Sequence, residues 1–196
     1  MLKTTTIFFC ISFLLSFSGS DLVESMNSKV KPKDIESEMT MVLTNNNGRV
    51  KTSKLKSVSS KGSEKQIIWF LEPRKDRGIS LLKVEHQDRS DEMRMWLPAF
   101  KKIRRITSDK KAGSFMGSDL SYEDLYTREI DDYNYSVKGS EKVGDVACHV
   151  LVSVPNKELL SEYSKHLSWI DKNRLLPVKE ESYDKDGKLL KKKEVK

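Results

Sequence analysis

The chain has 196 residues, a formal net charge of +7 and 33% charged residues. This length matches one domain with a substantial buried core. Basic and acidic residues are mixed along most of the chain, and aromatic residues do not alternate with the dense basic runs, 101–105 and 191–193. That pattern argues against nucleic-acid binding. The basic runs are explained as solvated faces, with a docking surface for anionic lipid or an acidic partner as the alternative.

Residues 1–20 have the three parts of a secretory signal peptide. Lys3 supplies positive charge, residues 7–17 are apolar, and residues 18–20 are small, as a signal peptidase requires. The apolar run is shorter than the ~20 residues that cross a bilayer as a helix. We therefore predict a cleaved signal peptide at residues 1–20 and a single exported domain at residues 21–196. An uncleaved membrane anchor is the alternative.

The chain after the signal peptide has the pattern of a β protein. A short helix is predicted at residues 21–28, and from residue 35 the apolar residues recur with a period of two, which is typical of half-buried strands. Strands are predicted at residues 35–44, 49–59, 65–71, 79–85, 92–97, 102–107, 133–137, 146–154, 168–171, 177–183 and 188–195.

Short connections join these strands. The pairs Asn47-Gly48 and Asp186-Gly187 predict tight hairpin turns, because both residue types tolerate positive φ. Two further short helices are predicted at residues 121–126 and 156–163. No repeat or linker divides the chain. The sequence therefore predicts one mainly β domain, with a large curved antiparallel sheet and a few short helices.

Residues with catalytic or metal-binding chemistry are scattered. His86, His149 and His166 lie far apart, without the spacing of metal ligands. Once the signal peptide is removed, Cys148 is the remaining cysteine, so no intrachain disulfide forms; its valine-rich surroundings predict a buried small hydrophobe. Residues 184–187 begin like a calcium loop but lack its closing glutamate, and a hairpin turn explains them. We predict no cofactor, no metal and no enzyme activity.

The stretch GSFMGSDLSYEDL, residues 113–125, follows the first basic run. Its acidic residues suggest a carboxylate pair for acid–base chemistry, but Asp124 follows Ser121 at the spacing of a helix-capping box, which is the better explanation. We interpret the stretch as a rigid flap at the edge of an apolar groove. Its acidic residues lie close enough in sequence to pair with Arg104 and Arg105.

Methionine is unusually common in the predicted strands. Met39 and Met41 share one face of a strand, and Met93 and Met95 share one face of another. Methionine is not a favoured strand residue, and its flexible side chain suits surfaces that accept varied apolar partners. An ordinary core is the alternative. The candidate residues of an apolar cavity are Met39, Met41, Trp69, Met93, Met95, Trp96, Phe115 and Met116, although alternation places Trp96 opposite to Met93 and Met95.

Two neighbouring stretches point to a known family. The run MWLPAFKKIRRI, residues 95–106, followed by residues 113–125, closely resembles the signature of the outer-membrane lipoprotein-sorting proteins, a LolA-like family of exported proteins. The strand that ends in FLEP, residues 70–73, and the pair Arg77-Gly78 are similar to the same family. The resemblance extends over residues 30–195.

The resemblance implies a half-open antiparallel β-barrel of the LolA/LolB type, with short helices as a lid over an apolar cavity. It implies a monomeric periplasmic carrier that binds lipid or lipoprotein acyl chains for transfer to the outer membrane, with an inner-membrane transporter as a possible partner. The alternative is a non-catalytic subunit of a membrane transporter or envelope complex. Its candidate docking residues are Lys101, Lys102, Arg104, Arg105, Asp119, Tyr122 and Asp124.

Overall fold

Eleven strands and one α-helix form the part of the chain that the computed structural model describes, residues 18–30, 32–86, 88–107 and 110–195. The elements are α1 (Gly19–Asn27), β1 (Ile35–Thr44), β2 (Val50–Ser60), β3 (Lys65–Glu72), β4 (Ser80–Val84), β5 (Glu92–Leu97), β6 (Lys102–Ile106), β7 (Tyr133–Val143), β8 (Val146–Pro155), β9 (Lys165–Asp171), β10 (Pro177–Tyr183) and β11 (Leu189–Glu194). Each predicted strand is present, with β7 and β9 longer than expected.

The strands form two antiparallel sheets rather than one. Sheet 1 contains β1 to β6 and sheet 2 contains β7 to β11, and in each sheet every strand pairs with its neighbours in sequence. Neither sheet is closed in the described residues, since β1, β6, β7 and β11 each pair on one side. The mainly β antiparallel fold is therefore confirmed, whereas the predicted single sheet is wrong and a half-open barrel is not established.

Sheet 1 buries one face against an apolar cluster. The strand register places Leu55 opposite Phe70, and Leu81 opposite Met95, so these side chains project from the same face. We call this the inner face of sheet 1. Together with Ile68, Met93 and Ile106, these residues form a core that solvent hardly reaches. The burial of these aliphatic and aromatic side chains is the main stabilising contribution to this sheet.

A loop of residues 113–122, here called the flap, covers this core. The Phe115 amide donates to the Leu120 carbonyl at 2.7 Å, and the Tyr122 amide donates to the Gly113 carbonyl at 3.0 Å. The tip turns at Met116 and Gly117, with φ of 54° and 80°. Glycine adopts such angles without a steric penalty, which explains its place at the tip.

The flap is held by aromatic packing. The Phe115 ring lies 6.0 Å from the Phe70 ring and 6.1 Å from the Tyr122 ring, measured between centroids. These separations are typical of stabilising aromatic pairs. Phe115 and Tyr122 are buried within the same cluster as Met93 and Met95. The flap therefore closes the methionine-containing face of sheet 1.

Helix α1 lies on one face of sheet 2, which we call its inner face. Leu22 and Val23 of the helix pack against Leu151 and Ile170 of β8 and β9. A Cβ atom on Gly19 would lie 2.5 Å from the Ser136 backbone nitrogen in β7. Only glycine therefore allows the helix to approach the sheet this closely. The outer face of sheet 2 carries a smaller apolar cluster that includes the buried Cys148, as its pattern predicts.

The N-terminus of α1 is fixed by a capping box. The Ser18 hydroxyl accepts from the Asp21 amide, and the Asp21 carboxylate accepts from the Ser18 amide, both at 3.1 Å. The predicted helix at residues 21–28 is thus present but begins at Gly19, so residues 18–20, which the sequence assigned to the signal peptide, form its cap and its first residues. Residues 1–17 of the predicted signal peptide lie outside the described residues. Among the helices that are described, none is long and apolar enough to cross a membrane.

The other two predicted helices differ in the structure. Residues 121–126 contain a single 3₁₀ turn, Glu123–Leu125. The helix predicted at residues 156–163 is wrong, because this stretch forms turns. The Asn156 side chain donates to the Asp131 carbonyl at 2.6 Å and accepts from the Asn134 side chain at 2.7 Å. These bonds hold the start of the stretch against β7 and the turn before it, rather than within a helix.

Candidate functional site

A cleft of about 440 Å³ lies on the inner face of sheet 2. Strands β7 to β10 form its floor, and α1, residues 123–132 and residues 159–163 contribute its walls. This volume lies within the roughly 300–1,000 Å³ of typical small-molecule pockets. The cleft therefore has room for a small ligand or part of a larger one.

One part of the cleft is apolar. Val23 and Met26 line it from α1, Leu151 and Ile170 from sheet 2, and Leu160 from the loop before β9. Val23, Leu151 and Ile170 are buried, Met26 is half-buried and Leu160 is exposed. The helix presents Val23 and Met26 to the cleft because residues three positions apart share one helical face. This part offers a surface on which an aliphatic chain loses contact with water.

The other part of the cleft contains an ion-paired network centred on Asp124. Lys191 and Lys193 of β11 contact the Asp124 carboxylate at 2.5 and 2.9 Å. The Tyr163 hydroxyl donates to the same carboxylate at 3.1 Å, and the Ser121 amide donates to it at 2.8 Å. Burial alone would raise the pKa of Asp124, but the lysine hydrogen bonds and charges hold it well below its usual range.

A second ion pair lies beside it. Arg128 binds Glu180 of β10 through two hydrogen bonds, of 2.6 and 2.9 Å. Ser168 donates to Glu180 at 3.0 Å, and Lys193 lies 3.2 Å from it. Burial opposes ionisation, yet the Arg128 hydrogen bond and charge keep the pKa of Glu180 at about 2. Two hydrogen bonds to the same carboxylate fix the orientation of the Arg128 guanidinium group.

His166 occupies the floor of the cleft and is fully buried. Its Nδ1 atom lies 3.2 Å from an Arg128 nitrogen and 2.9 Å from the Ser182 hydroxyl. Arginine is only a donor, so Nδ1 accepts and the neutral ring carries its proton on Nε2. Among the described residues, Nε2 has no hydrogen-bond partner. Burial, followed by the Arg128 charge, lowers the pKa of His166 to about 3.

This network predicts that the protein loses stability as the pH falls below about 6.5, the ordinary histidine pKa. Unfolded histidine binds a proton there, whereas folded His166 remains neutral down to a pKa of about 3. The unfolded state then binds more protons, so the free energy of unfolding falls by up to about 1.4 kcal/mol per pH unit for this group. Paired Asp124 and Glu180 add to the loss at lower pH, because each has a lowered pKa in the folded protein.

Urea denaturation between about pH 7 and pH 4 measures this dependence. In the variant His166→Phe, the slope between about pH 4 and 6.5 should flatten, because the titrating group is absent. An unchanged slope in the variant would show that His166 is not buried in its neutral form.

The sequence-predicted cavity residues lie elsewhere. Met93, Met95 and Phe115 are buried in the sheet 1 core, and Met41 and Met116 pack against it. Met39 and Trp96 are exposed, and Trp69 is half-buried. None of these eight residues is among the described residues that line the cleft. The predicted opposition of Trp96 to Met93 and Met95 is confirmed, since the methionines are buried and the tryptophan is exposed.

The candidate docking residues fall into two groups. Lys101, Lys102, Arg104, Arg105 and Asp119 are exposed. The side chains of Tyr122 and Asp124 are buried and contact the rest of this chain. The expected pairing of Asp124 with Arg104 or Arg105 is wrong, because the lysines of β11 take that position.

Comparison with solved structures then identifies the class of protein. A DUF1329 family protein from Desulfovibrio piger ATCC 29098 is 33% identical with a TM-score of 0.82, over 89% of this chain and 75% of that chain. A domain described as an outer-membrane lipoprotein-sorting protein, from Vibrio parahaemolyticus, is 31% identical with a TM-score of 0.81, over 87% and 74%. A LolA superfamily protein from Nitrosomonas europaea shares the fold at 18% identity, with a TM-score of 0.65 over 88% and 74%.

The fold is thus that of the LolA superfamily, and its similarity to sorting-protein structures confirms the resemblance found in the sequence. A family model described as that of an uncharacterized protein matches residues 62–196. No curated protein matches the chain. The chain belongs to the DUF1329 family, and it is similar to a protein described as an outer-membrane lipoprotein-sorting protein.

Proposed function

We propose that the protein is an exported, non-enzymatic carrier that binds lipid or lipoprotein acyl chains in the periplasm for transfer to the outer membrane. The observation that carries the proposal is the cleft on sheet 2, in which an apolar part adjoins a network of ion pairs. An amphiphile has the same two parts, an aliphatic chain and a polar head. Similarity to a protein described as an outer-membrane lipoprotein-sorting protein supports the same function.

The apolar part of the cleft supplies the binding energy in this proposal. Each buried methylene group contributes about 0.8 kcal/mol, so an acyl chain is held without a covalent bond. Val23, Met26 and Ile170 would contact the chain, while the polar head would lie toward Arg128 and Lys193. Release then requires an acceptor with a higher affinity for the chain, since transfer follows from a difference in affinity.

The charged groups of the cleft support a binding role over catalysis. Asp124 and Glu180 are ion-paired, and each pKa lies below the ordinary carboxyl value. The pKa of His166 is about 3, far from neutral pH. An effective general acid or base has a pKa near the working pH. These three groups are therefore poorly tuned for proton transfer at pH 7.

The inner face of sheet 1 is a second proposed binding surface. Met93 and Met95 reach a ligand only if the flap lifts, because Phe115 and Tyr122 cover them. Met41 and Met116 lie at the border of the same cluster. In this proposal the acyl chain binds in the cleft first, and the methionine face becomes accessible only when the flap is displaced.

A non-catalytic subunit of a membrane transporter or envelope complex is the alternative function. The exposed side chains of Lys101, Lys102, Arg104 and Arg105 favour it, because these cations lie at the edge of sheet 1 and none of them lines the cleft. A transporter that captures this chain equally well with an empty or a filled cleft would favour the subunit over the carrier.

A titration with a fluorescently labelled palmitate tests the carrier. We expect saturable binding that a palmitoylated peptide displaces and that the same peptide without its acyl group leaves intact. Circular dichroism checks that the protein is folded throughout. Folded protein that shows no saturable binding would contradict the proposed function.

A further inference from the structure

The outer face of sheet 1 carries a patch of tryptophan and aliphatic side chains. The strand register aligns two neighbouring rows of side chains across β3, β4, β5 and β6. The first row contains Trp69, Ser80, Trp96 and Ile103. The second row contains Ile67, Leu82, Arg94 and Arg105. The exposed fractions are 37% for Trp96, 38% for Leu82 and 65% for Ile103. Phe100, in the turn between β5 and β6, is 70% exposed. We call these residues the tryptophan patch.

Basic side chains border this patch. Arg105 belongs to the second row, and Lys101 lies in the turn next to Phe100. Both are exposed, and among the described residues neither is in an ion pair with a carboxylate. The register places Lys102 and Arg104 on the opposite face, beside Leu97 and Met95. Strand β6 lies at the edge of sheet 1, so its side chains and the preceding turn project at the rim. The rim thus offers two unpaired cations, Lys101 and Arg105, next to exposed aromatic and aliphatic groups.

This combination of side chains matches the surface of an anionic bilayer. Tryptophan concentrates at the level of lipid headgroups, where its ring lies in a partly apolar environment. Clustered lysine and arginine are attracted to anionic headgroups. The patch lies on the face of a sheet rather than in a groove, so it suits a broad planar partner. An acidic protein would match the cations but would leave the aliphatic and aromatic groups without a counterpart.

We propose that the tryptophan patch docks the protein onto an anionic lipid membrane. Trp96, Phe100 and Ile103 enter the headgroup region, and Lys101 and Arg105 contact lipid phosphates. The patch lies on the opposite face of sheet 1 from the flap, and none of its residues lines the cleft. Docking is therefore independent of acyl-chain binding and can fail or succeed separately from it.

Co-sedimentation with vesicles tests the proposal, with phosphatidylglycerol mixed into phosphatidylcholine in one set and phosphatidylcholine alone in the other. We expect binding to the anionic vesicles, weakened by salt because charge attraction is screened. The variant Phe100→Ser/Ile103→Ser should bind at least tenfold more weakly, and Lys101→Glu/Arg105→Glu likewise. These side chains are exposed, so the variants keep the core intact.

Matched controls distinguish vesicle binding through the tryptophan patch from nonspecific vesicle binding. Val42→Ser/Val50→Ser removes two equally exposed aliphatic groups from β1 and β2, and Lys138→Glu/Lys142→Glu reverses two exposed charges on β7. Both should bind vesicles like the unchanged protein. The variant Met26→Glu, which alters the cleft, should also dock normally.

Tryptophan fluorescence gives a second measurement. Two of the three tryptophans, Trp69 and Trp96, lie in the patch, whereas Trp169 is buried in sheet 2. Docking should shift the emission to shorter wavelength, and Trp96→Phe should reduce the shift. Absence of vesicle binding, or binding unaffected by the patch variants, would overturn the proposal. Vesicle binding that is lost on charge reversal but insensitive to Phe100→Ser/Ile103→Ser would also overturn it, because the exposed apolar groups would then take no part in docking.

Discussion

Replacing Asp124 with alanine is expected to lower the free energy of unfolding by about 3–5 kcal/mol, the usual cost of breaking a buried ion pair from one side. The Asp124 side chain is 1% exposed, and it contacts Lys191, Lys193, Tyr163 and Ser121. Its removal leaves Lys191 buried without its nearest counter-charge, because Glu162 lies 4.0 Å away. The network would lose the group that joins the flap region to β11.

Urea denaturation, followed by tryptophan fluorescence, measures this effect. Asp119→Ala is the matched control, because Asp119 is an exposed carboxylate in the same stretch. It should change stability by no more than about 0.5 kcal/mol. If Asp124→Ala cost less than about 1 kcal/mol, the ion-paired network would not be the link between residues 121–128 and sheet 2.

Replacing Met26 with glutamate is expected to weaken the binding of labelled palmitate at least tenfold, which corresponds to about 1.4 kcal/mol or more. Met26 lines the apolar part of the cleft and is half-buried, so the substitution puts a carboxylate beside the acyl chain while α1 keeps Leu22 and Val23 in place. A charge in an apolar site loses hydration, and the ligand no longer gains a dry surface.

Met39→Glu is the control for this experiment. Met39 is an exposed methionine of β1, and it is one of the residues that the sequence predicted for the cavity. Normal binding by Met39→Glu together with weak binding by Met26→Glu would place the acyl chain in the cleft. The reverse result would place the chain on sheet 1 and refute the assignment to sheet 2.

The strands were predictable because their signals are local. Alternation with a period of two and the turns at Asn47-Gly48 and Asp186-Gly187 depend on neighbouring residues only. The division into two sheets was not predictable in this way. It depends on the absence of pairing between β6 and β7, and residues 107–132, which connect them, have no periodic pattern.

The face of each methionine was predictable, but its surroundings were not. Alternation correctly put Met93 and Met95 on one face and Trp96 on the other. Whether that face forms a cavity or a core depends on the flap, since Phe115 packs onto Phe70 from a distant part of the sequence. Contacts between residues so far apart in the sequence cannot be predicted from the local alternation of apolar and polar residues.

The polar part of the cleft could not be recognised in the sequence. His166, Glu180 and Lys193 lie on one face of β9, β10 and β11, where polar residues at alternate positions resemble an ordinary solvated face. The partner of Asp124 was predicted from proximity in sequence, but Lys191 lies 67 positions away. Only the fold brings these charges together.

Native mass spectrometry of the protein purified from the periplasm without detergent tests the carrier most directly. The expected result is a population with the added mass of an acylated lipid, removed by organic extraction and absent from Met26→Glu. A folded protein that carries no acylated molecule, and acquires none when incubated with a palmitoylated peptide, would contradict the carrier function.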